Sequence, residues 1–530
     1  MQKKIFFTLS VVLVSLFGYS QTMFQRAFEK NYTTAFGAQQ TSDGGYIMAG
    51  FHQVSLTDFD YLAVKLNSIG DTLWTKTYGG IGDEESYAMQ QTADGGFIFA
   101  GIDSSSGLGS YNIYLVKTNS LGDTLWTKSY GGNQADFAQA VQQTADGGYI
   151  VAGYTSSFGA GNNDVYLLKT DASGNLTWSK TYGGVNGDYA FAVKQTTDGG
   201  YILSGITSSF GISPYGNIND VYVLKTDASG TLTWSKTYGQ NGDDWSYGIL
   251  QTNDGGYALT GFTNTDSTTA LSDVYLIKTD ANGDTLFTKS YGGTNYDKGT
   301  ALLQLNDSGF AMTGSAYSFG NGASDVYFIR TNKMGTIVSS STFGNSGNDW
   351  AYALSQTTDG GYTLSGYTDN FGVSNSSFYF IKTDNYGRGN NCNQTNPATV
   401  TANTITKVSN PATITHTPAT ITKQNTFTKI GSGVSVIDIC ALTTGVKQLA
   451  VNNKQVSVFP NPCNGNFSIN ATDLKENTQV IIYNQLGQII LSKQLSNQLT
   501  NLNLDVTAGV YQVRVLNGNE VIYQAKIIKE

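Results

Sequence analysis

One short motif recurs along this chain at a nearly constant interval. Asp-Gly-Gly-Tyr or a close variant begins at Asp43, Asp94, Asp146, Asp198, Asp254, Asp307 and Asp359, seven copies separated by 51 to 56 residues. Such a period is too long for ankyrin or leucine-rich units and close to that of a propeller blade. The fourth copy shows what one unit builds. Residues 188 to 196 alternate small and larger side chains, and Asp198-Gly199-Gly200 supplies a turn tolerant of positive φ. A return strand, Tyr201 to Thr207, follows, and after a Ser/Gly/Asn-rich loop Val221-Tyr222-Val223-Leu224 reads as a strand buried on both faces. Leu232 to Tyr238 then alternates with period two, as a half-covered strand should. Four short strands per unit predict an all-β chain, specifically a seven-bladed β-propeller. The seventh copy lacks a Trp-type fourth strand, whereas Thr22 to Phe28 matches Thr72 to Tyr78 in character. The N-terminal strand is therefore expected to pair beside Tyr379 to Lys382 and close the last blade.

Composition narrows the chemistry. The 62 Gly and 33 Tyr, against 13 % charged residues, exclude coiled coils and helical bundles. A net charge of -9 leaves no basic stripe for duplex nucleic acid. With two His (His52 and His416) and four Arg (Arg26, Arg330, Arg388 and Arg514), histidine acid/base catalysis is nearly excluded. No catalytic constellation stands out, and the chain is read as a non-enzyme.

Candidate sites follow from the blade pattern. Loops joining second to third strands vary in length, and four present an aromatic in a Gly/Ser/Asn setting: Phe158, Phe210, Phe319 and Phe371. These are the expected ligand contacts, because variable loops on a rigid scaffold usually carry binding. An acid opens the first strand in six of seven copies: Glu84, Asp136, Asp188, Asp244, Asp297 and Asp349, with Thr33 in the first. If these line the central channel they form an acidic ring, and their repulsion is offset either by a cation such as Ca²⁺ or by backbone N–H donors of the adjacent blade. The donor reading is preferred, and no other cofactor is expected. Trp74, Trp126, Trp178 and Trp234 read as packing between blades. Asp280 to Asp284 hints at a Ca²⁺ loop but lacks the EF-hand frame, so it is read as a turn. Asp171 to Trp178 resembles the Asp-box of sialidase propellers, but the Asp stands three residues before the Gly instead of two, and the required arginine cluster is missing.

The two ends have their own signatures. Lys3 and Lys4 precede a largely apolar 15-residue stretch, Ile5 to Tyr19, with small residues after it, so residues 1–20 read as a secretory signal peptide. No other stretch approaches the ~20 apolar residues of a membrane-spanning helix. After a propeller assigned to 21–389, residues 390–450 are Thr-rich and repeat Pro-Ala-Thr-Val/Ile-Thr, which reads as an extended linker with some strand character. Cys392 and Cys440 bracket it and could be joined in an oxidising compartment, leaving Cys463 unpaired; three free thiols are the other reading.

Residues 451–530 read as short strands separated by Asn/Gly turns, a small β-sandwich. Pro460-Asn461-Pro462, then Tyr483-Asn484 with Gly487-Gln488, then Gly509-Val510-Tyr511 and the basic end Lys526 to Lys529 fall in order. This pattern resembles the C-terminal sorting domain of type IX secretion substrates. The resemblance implies Sec export, passage across the outer membrane, partnership with the type IX machinery, and release or surface attachment. The expected function is thus a secreted or cell-surface binding or adhesion module, with extracellular glycans or surface proteins as partners. A structural matrix component is the alternative. A hydrolase or lyase using the channel carboxylates comes third, because near-identical blades offer no pair of unequal acids.

Overall fold

In the computed structural model every strand-forming stretch of the repeats is a strand. The structure describes residues 21–211, 218–264, 271–371, 376–390, 394–397, 399–403, 407–409, 414–416, 421–424, 434–439, 456–459, 465–471, 478–484, 488–507, 509–517 and 520–529. The chain divides into two compact units, Met1–Thr444 and Gly445–Glu530. Residues 1–20 and all three cysteines lie outside the described residues, as do Pro460-Asn461-Pro462 and Gly487 of the C-terminal pattern. No helix among the described residues is long and apolar enough to cross a membrane.

In the first unit six copies of the repeat fold as four consecutive antiparallel strands, and the seventh supplies three. In the fourth copy they are Asp188–Gln195, Tyr201–Thr207, Asp220–Thr226 and Leu232–Gly239. The Asp-Gly-Gly turn between the first two needs both glycines. Gly199 has a φ of 82°, and a Cβ on Gly200 would lie 2.1 Å from the carbonyl oxygen of Thr226. The turn's Asp198 is also held by Lys225 Nζ at 2.8 Å, from the third strand. The same pairing recurs in every copy, from Lys65 with Asp43 to Lys382 with Asp359, with Arg330 replacing Lys beside Asp307. The aspartate thus does more than form the turn its sequence signals: it anchors the turn to the third strand.

The seven-bladed propeller expectation is corrected. The described strands form nine separate antiparallel sheets, and none closes on itself into a barrel. The four-strand repeat unit itself is present, but six of the seven repeat sheets carry a fifth strand from outside the repeat. Those fifth strands come from the Thr-rich segment read as a linker. Gln394–Thr395 pairs with Ile337–Phe343, Val400–Asn403 with Thr285–Gly292, and Lys407–Ser409 with Leu232–Gly239. Ile414–His416 pairs with Leu176–Gly183 and Ile421–Gln424 with Thr124–Gly131. The segment runs backwards through the sheets, because its β-branched Thr, Val and Ile residues meet outer strands whose free N–H and C=O groups need partners. The N-terminal strand Phe24–Glu29 pairs with Ser377–Thr383, with Phe24 opposite Lys382 and Phe28 opposite Phe378. It is not the last strand of its sheet, since Ser435–Asp438 covers its other edge.

Neighbouring sheets are tied by repeated contacts. In six of the seven sheets the Gln that ends the first strand accepts a backbone N–H from a neighbouring sheet's turn, as Gln195 does from Ala145 at 2.9 Å and Gln40 from Thr358 at 2.7 Å. Trp74, Trp126, Trp178 and Trp234 pack edge-on or tilted against Phe97, Tyr149, Tyr201 and Tyr257 of the following sheet. Buried Tyr182 donates its hydroxyl to the Gly230 carbonyl at 2.5 Å, and Tyr130 and Tyr238 repeat the bond to Gly174 and Gly283.

The second unit has a three-stranded sheet, Val456–Phe459, Asn466–Ala471 and Leu499–Asn503. Its four-stranded partner comprises Ile489–Gln494, Thr478–Tyr483, Gly509–Asn517 and Glu520–Lys529. Alternating Phe467, Ile469, Val480, Ile482, Val513 and Val515 form one shared core.

Candidate binding cavity

The first strands of the seven repeat sheets line a single cavity of about 620 Å³. Their sequences explain the wall. The third residue of each strand is small (Ala35, Ser86, Ala138, Ala190, Ser246, Gly299, Ala351) and buried between sheets, so the residues on either side of it face the other way. At the fourth position stand Phe36, Tyr87, Phe191, Tyr247 and Tyr352, with Gln139 and Thr300 in the two remaining sheets; all seven line the cavity. At the second position stand Phe137, Tyr189, Trp245 and Trp350, with Thr34, Glu85 and Lys298 as the exceptions.

These side chains form an aromatic band. Phe191 stacks on Trp245 at 5.9 Å with planes 8° apart, and Trp245 stacks on Phe262 at 5.6 Å. Phe36 meets Tyr352 at 4.6 Å, and Phe137 stacks on Tyr154 at 4.6 Å. Lys298 lies 5.0 Å from the Phe262 ring centre and 5.9 Å from that of Trp350. A second cation, Lys194, also lines the cavity, and desolvation there lowers its ammonium pKa. Burial lowers that of Lys298 too. No Asp or Glu belongs to the lining, although Glu85, next to the wall, accepts a 2.5 Å hydrogen bond from Tyr87 Oη.

The acids expected to ring a channel are elsewhere. Glu84, Asp136, Asp188, Asp244, Asp297 and Asp349 are each about 1 % exposed or less, and none lines the cavity. Each sits in a seam between sheets and accepts a backbone N–H from four residues earlier, as Asp136 does from Gly132, Asp188 from Gly184 and Asp244 from Gln240, all at 2.8 Å. Glu84, Asp297 and Asp349 accept likewise from Gly80, Gly293 and Asn345. Ser157 and Ser209 hydroxyls add bonds to Asp136 and Asp188.

Sequence reasoning missed a second acid in most seams. A Cβ on Gly183 would lie 2.1 Å from Asp164 Oδ1 and 2.7 Å from Asp188 Oδ2; Asp220 with Asp244, Asp273 with Asp297, and Asp325 with Asp349 flank Gly239, Gly292 and Gly344 in the same way. The Asp that opens most third strands was the available signal. Burial, with the neighbouring acid adding to it, pushes Asp349 up to about 7 and Asp273 to about 6. Burial pushes Glu84 up to about 7, with Asp103 and Asp60 adding to it. Among the described residues no group of three or more His, Cys, Asp or Glu could hold a metal ion.

The loop aromatics are packed inward. Phe158, Phe210, Phe319 and Phe371 are half-buried and meet the rings of Tyr166, Tyr222, Tyr327 and Tyr379 at 5.7 to 5.8 Å. They cover the loop ends of the cores, because a Phe set among Gly and Ser has no other apolar surface to join.

A family model described as "Secretion system C-terminal sorting domain" matches residues 457–530. No curated protein matches the chain. Among solved structures the chain is similar to PorZ, described as an essential bacterial surface component of the type IX secretion system of Porphyromonas gingivalis. That similarity has 11 % identity and a TM-score of 0.36, covers 92 % of this chain, and spans 58 % of the PorZ chain. The sorting-domain match supports export by type IX secretion to the cell surface or extracellular space, with the secretion machinery as partner.

Proposed function

We propose that this protein is a secreted or cell-surface binding module whose ligand enters the cavity of the first unit. The observation that carries the reading is the cavity wall: seven strands from near-identical repeats converge there, and half-buried aromatics stand at five of seven equivalent positions. Half-exposed rings on a rigid support are typical of ligand sites, because they bury area at little entropic cost. The reading is non-catalytic. It is supported by the seam acids, each engaged by its own donors away from the cavity, and by a lining of Lys194 and Lys298 with no carboxylate. A matrix component remains the second reading, favoured by the uniform outer strands.

Two experiments test the proposal. The full chain is screened on a glycan and matrix-protein array beside a Phe191→Ala/Tyr352→Ala variant. Specific binding lost in the variant supports the module, and array silence favours the matrix role. In the native host, deleting 457–530 should hold the protein inside the outer membrane; its appearance outside would refute the sorting assignment.

A further inference from the structure

We infer that the cavity takes an acidic saccharide, a sugar chain bearing carboxylate or sulfate groups, with the anion held at Lys298. The inference rests on the binding reading above and adds the ligand's chemical class. Three observations carry it. The wall offers flat rings from separate strands, among them Phe191, Tyr247 and Tyr352, matching the apolar faces of successive sugar rings. It offers polar groups in the two places where the aromatic pattern breaks, the Gln139 amide and the Thr300 hydroxyl, whose proton goes to the Ala351 carbonyl at 2.7 Å and whose oxygen can accept from a sugar hydroxyl. Its charge opposes that of the molecule: the chain carries -9, yet the lining holds two lysines and no carboxylate.

Lys298 decides the sign of the ligand. Its ammonium occupies the faces of Phe262 and Trp350, which would otherwise attract a cationic ligand, and it repels one. An anion entering the same space gains a partner in a partly desolvated setting, where a charged hydrogen bond is strengthened. Two cations in an acidic molecule are too few for a nucleic-acid strand, whose phosphates need a basic track.

The test uses the full chain and three acidic oligosaccharides, a uronate, a sialylated and a sulfated one, each beside its neutral counterpart of the same backbone. Binding is read by calorimetry and by Trp fluorescence, since Trp350 lies against Lys298. At least one acidic probe is expected to bind about tenfold or more tighter than its neutral partner. Lys298→Gln should erase that preference, and Lys298→Arg should restore it; melting curves check that both variants fold. Equal binding of acidic and neutral partners overturns the inference and leaves the binding reading standing. Silence of every glycan overturns the inference, and silence of glycans and matrix proteins alike overturns both. Tighter binding of oligo-dT than of any acidic sugar also overturns the inference, placing the site with single-strand binders.

Discussion

Within each repeat sheet the third and first strands are built to different rules. The third strands are nearly one sequence: Asp164–Thr170 reads DVYLLKT, Asp220–Thr226 DVYVLKT and Asp273–Thr279 DVYLIKT, and nearly every residue in them is buried. The first strands keep only a frame, an acid at the start, a small third residue and a final Gln, as in DFAQAVQQ, DYAFAVKQ, DWSYGILQ and DKGTALLQ. Their second and fourth residues vary among Phe, Tyr, Trp, Gln, Glu, Lys and Thr. Where side chains serve packing between sheets, each seam solves the same problem and the copies agree. Where they face the cavity, the seven positions surround one shared space, and differences among them give it an asymmetric chemistry.

The contrast can be broken hardest at a seam. A Cβ at position 239 would lie 1.7 Å from Asp220 Oδ1 and 3.0 Å from Asp244 Oδ2, so Gly239→Ala is expected to cost about 3 kcal/mol. Thermal melting checks it, and an unchanged midpoint would show that the seam yields freely. Asp188→Ala comes next, at ~1 to 3 kcal/mol, because it strands the Gly184 N–H and the Ser209 hydroxyl. The loss should be the same with and without Ca²⁺; a Ca²⁺-dependent rise in wild-type melting that the variant lacks would revive the cation reading.

Acids at the two ends of the sheets should respond oppositely to pH. Glu84 in its seam titrates at about 7, above the ordinary ~4.3 of an unfolded chain, so the folded state holds the extra proton and stability falls as pH rises from about 4 to 7. Burial alone would raise the turn acid Asp94 as well, but bonds from Lys117, Thr92 and the Gly96 N–H bring it down to about 2. Its contribution is full above about 4 and is lost as pH falls toward 2. Melting temperature should therefore peak near pH 4 to 5, and Glu84→Gln should flatten the upper limb. A profile still rising at pH 7 would contradict the seam assignment. The smallest effect on stability belongs to the cavity wall: half-exposed Phe191→Ala should cost about 1 kcal/mol.

Local pattern carried part of this architecture and could not carry the rest. The Asp-Gly-Gly period and the period-two alternation located strands such as Asp188–Gln195 and Leu232–Gly239 to within a residue or two, because turn chemistry and burial are both written locally. The Thr-rich segment misled because its strands are two to four residues long and pair with chain far away in sequence. Their starts at Val400, Lys407, Ile414 and Ile421, seven residues apart, were readable as a stride from sheet to sheet. Attention to what the repeats share picked out Glu84 and its equivalents, which serve the seams. The cavity was written in what the repeats do not share, at Tyr87, Gln139, Phe191, Lys298 and Tyr352.

That division is tested most directly by comparing two substitutions for their effect on ligand affinity. The full chain, Phe191→Ala/Tyr352→Ala in the cavity, and Phe210→Ala in a loop are titrated with the tightest array ligand, at a temperature where all three are folded. Binding centred on the cavity predicts a loss of about tenfold or more in the first variant and near wild-type affinity in the second. Affinity kept by the cavity variant and lost on Phe210→Ala would place the site on the loops and contradict the account.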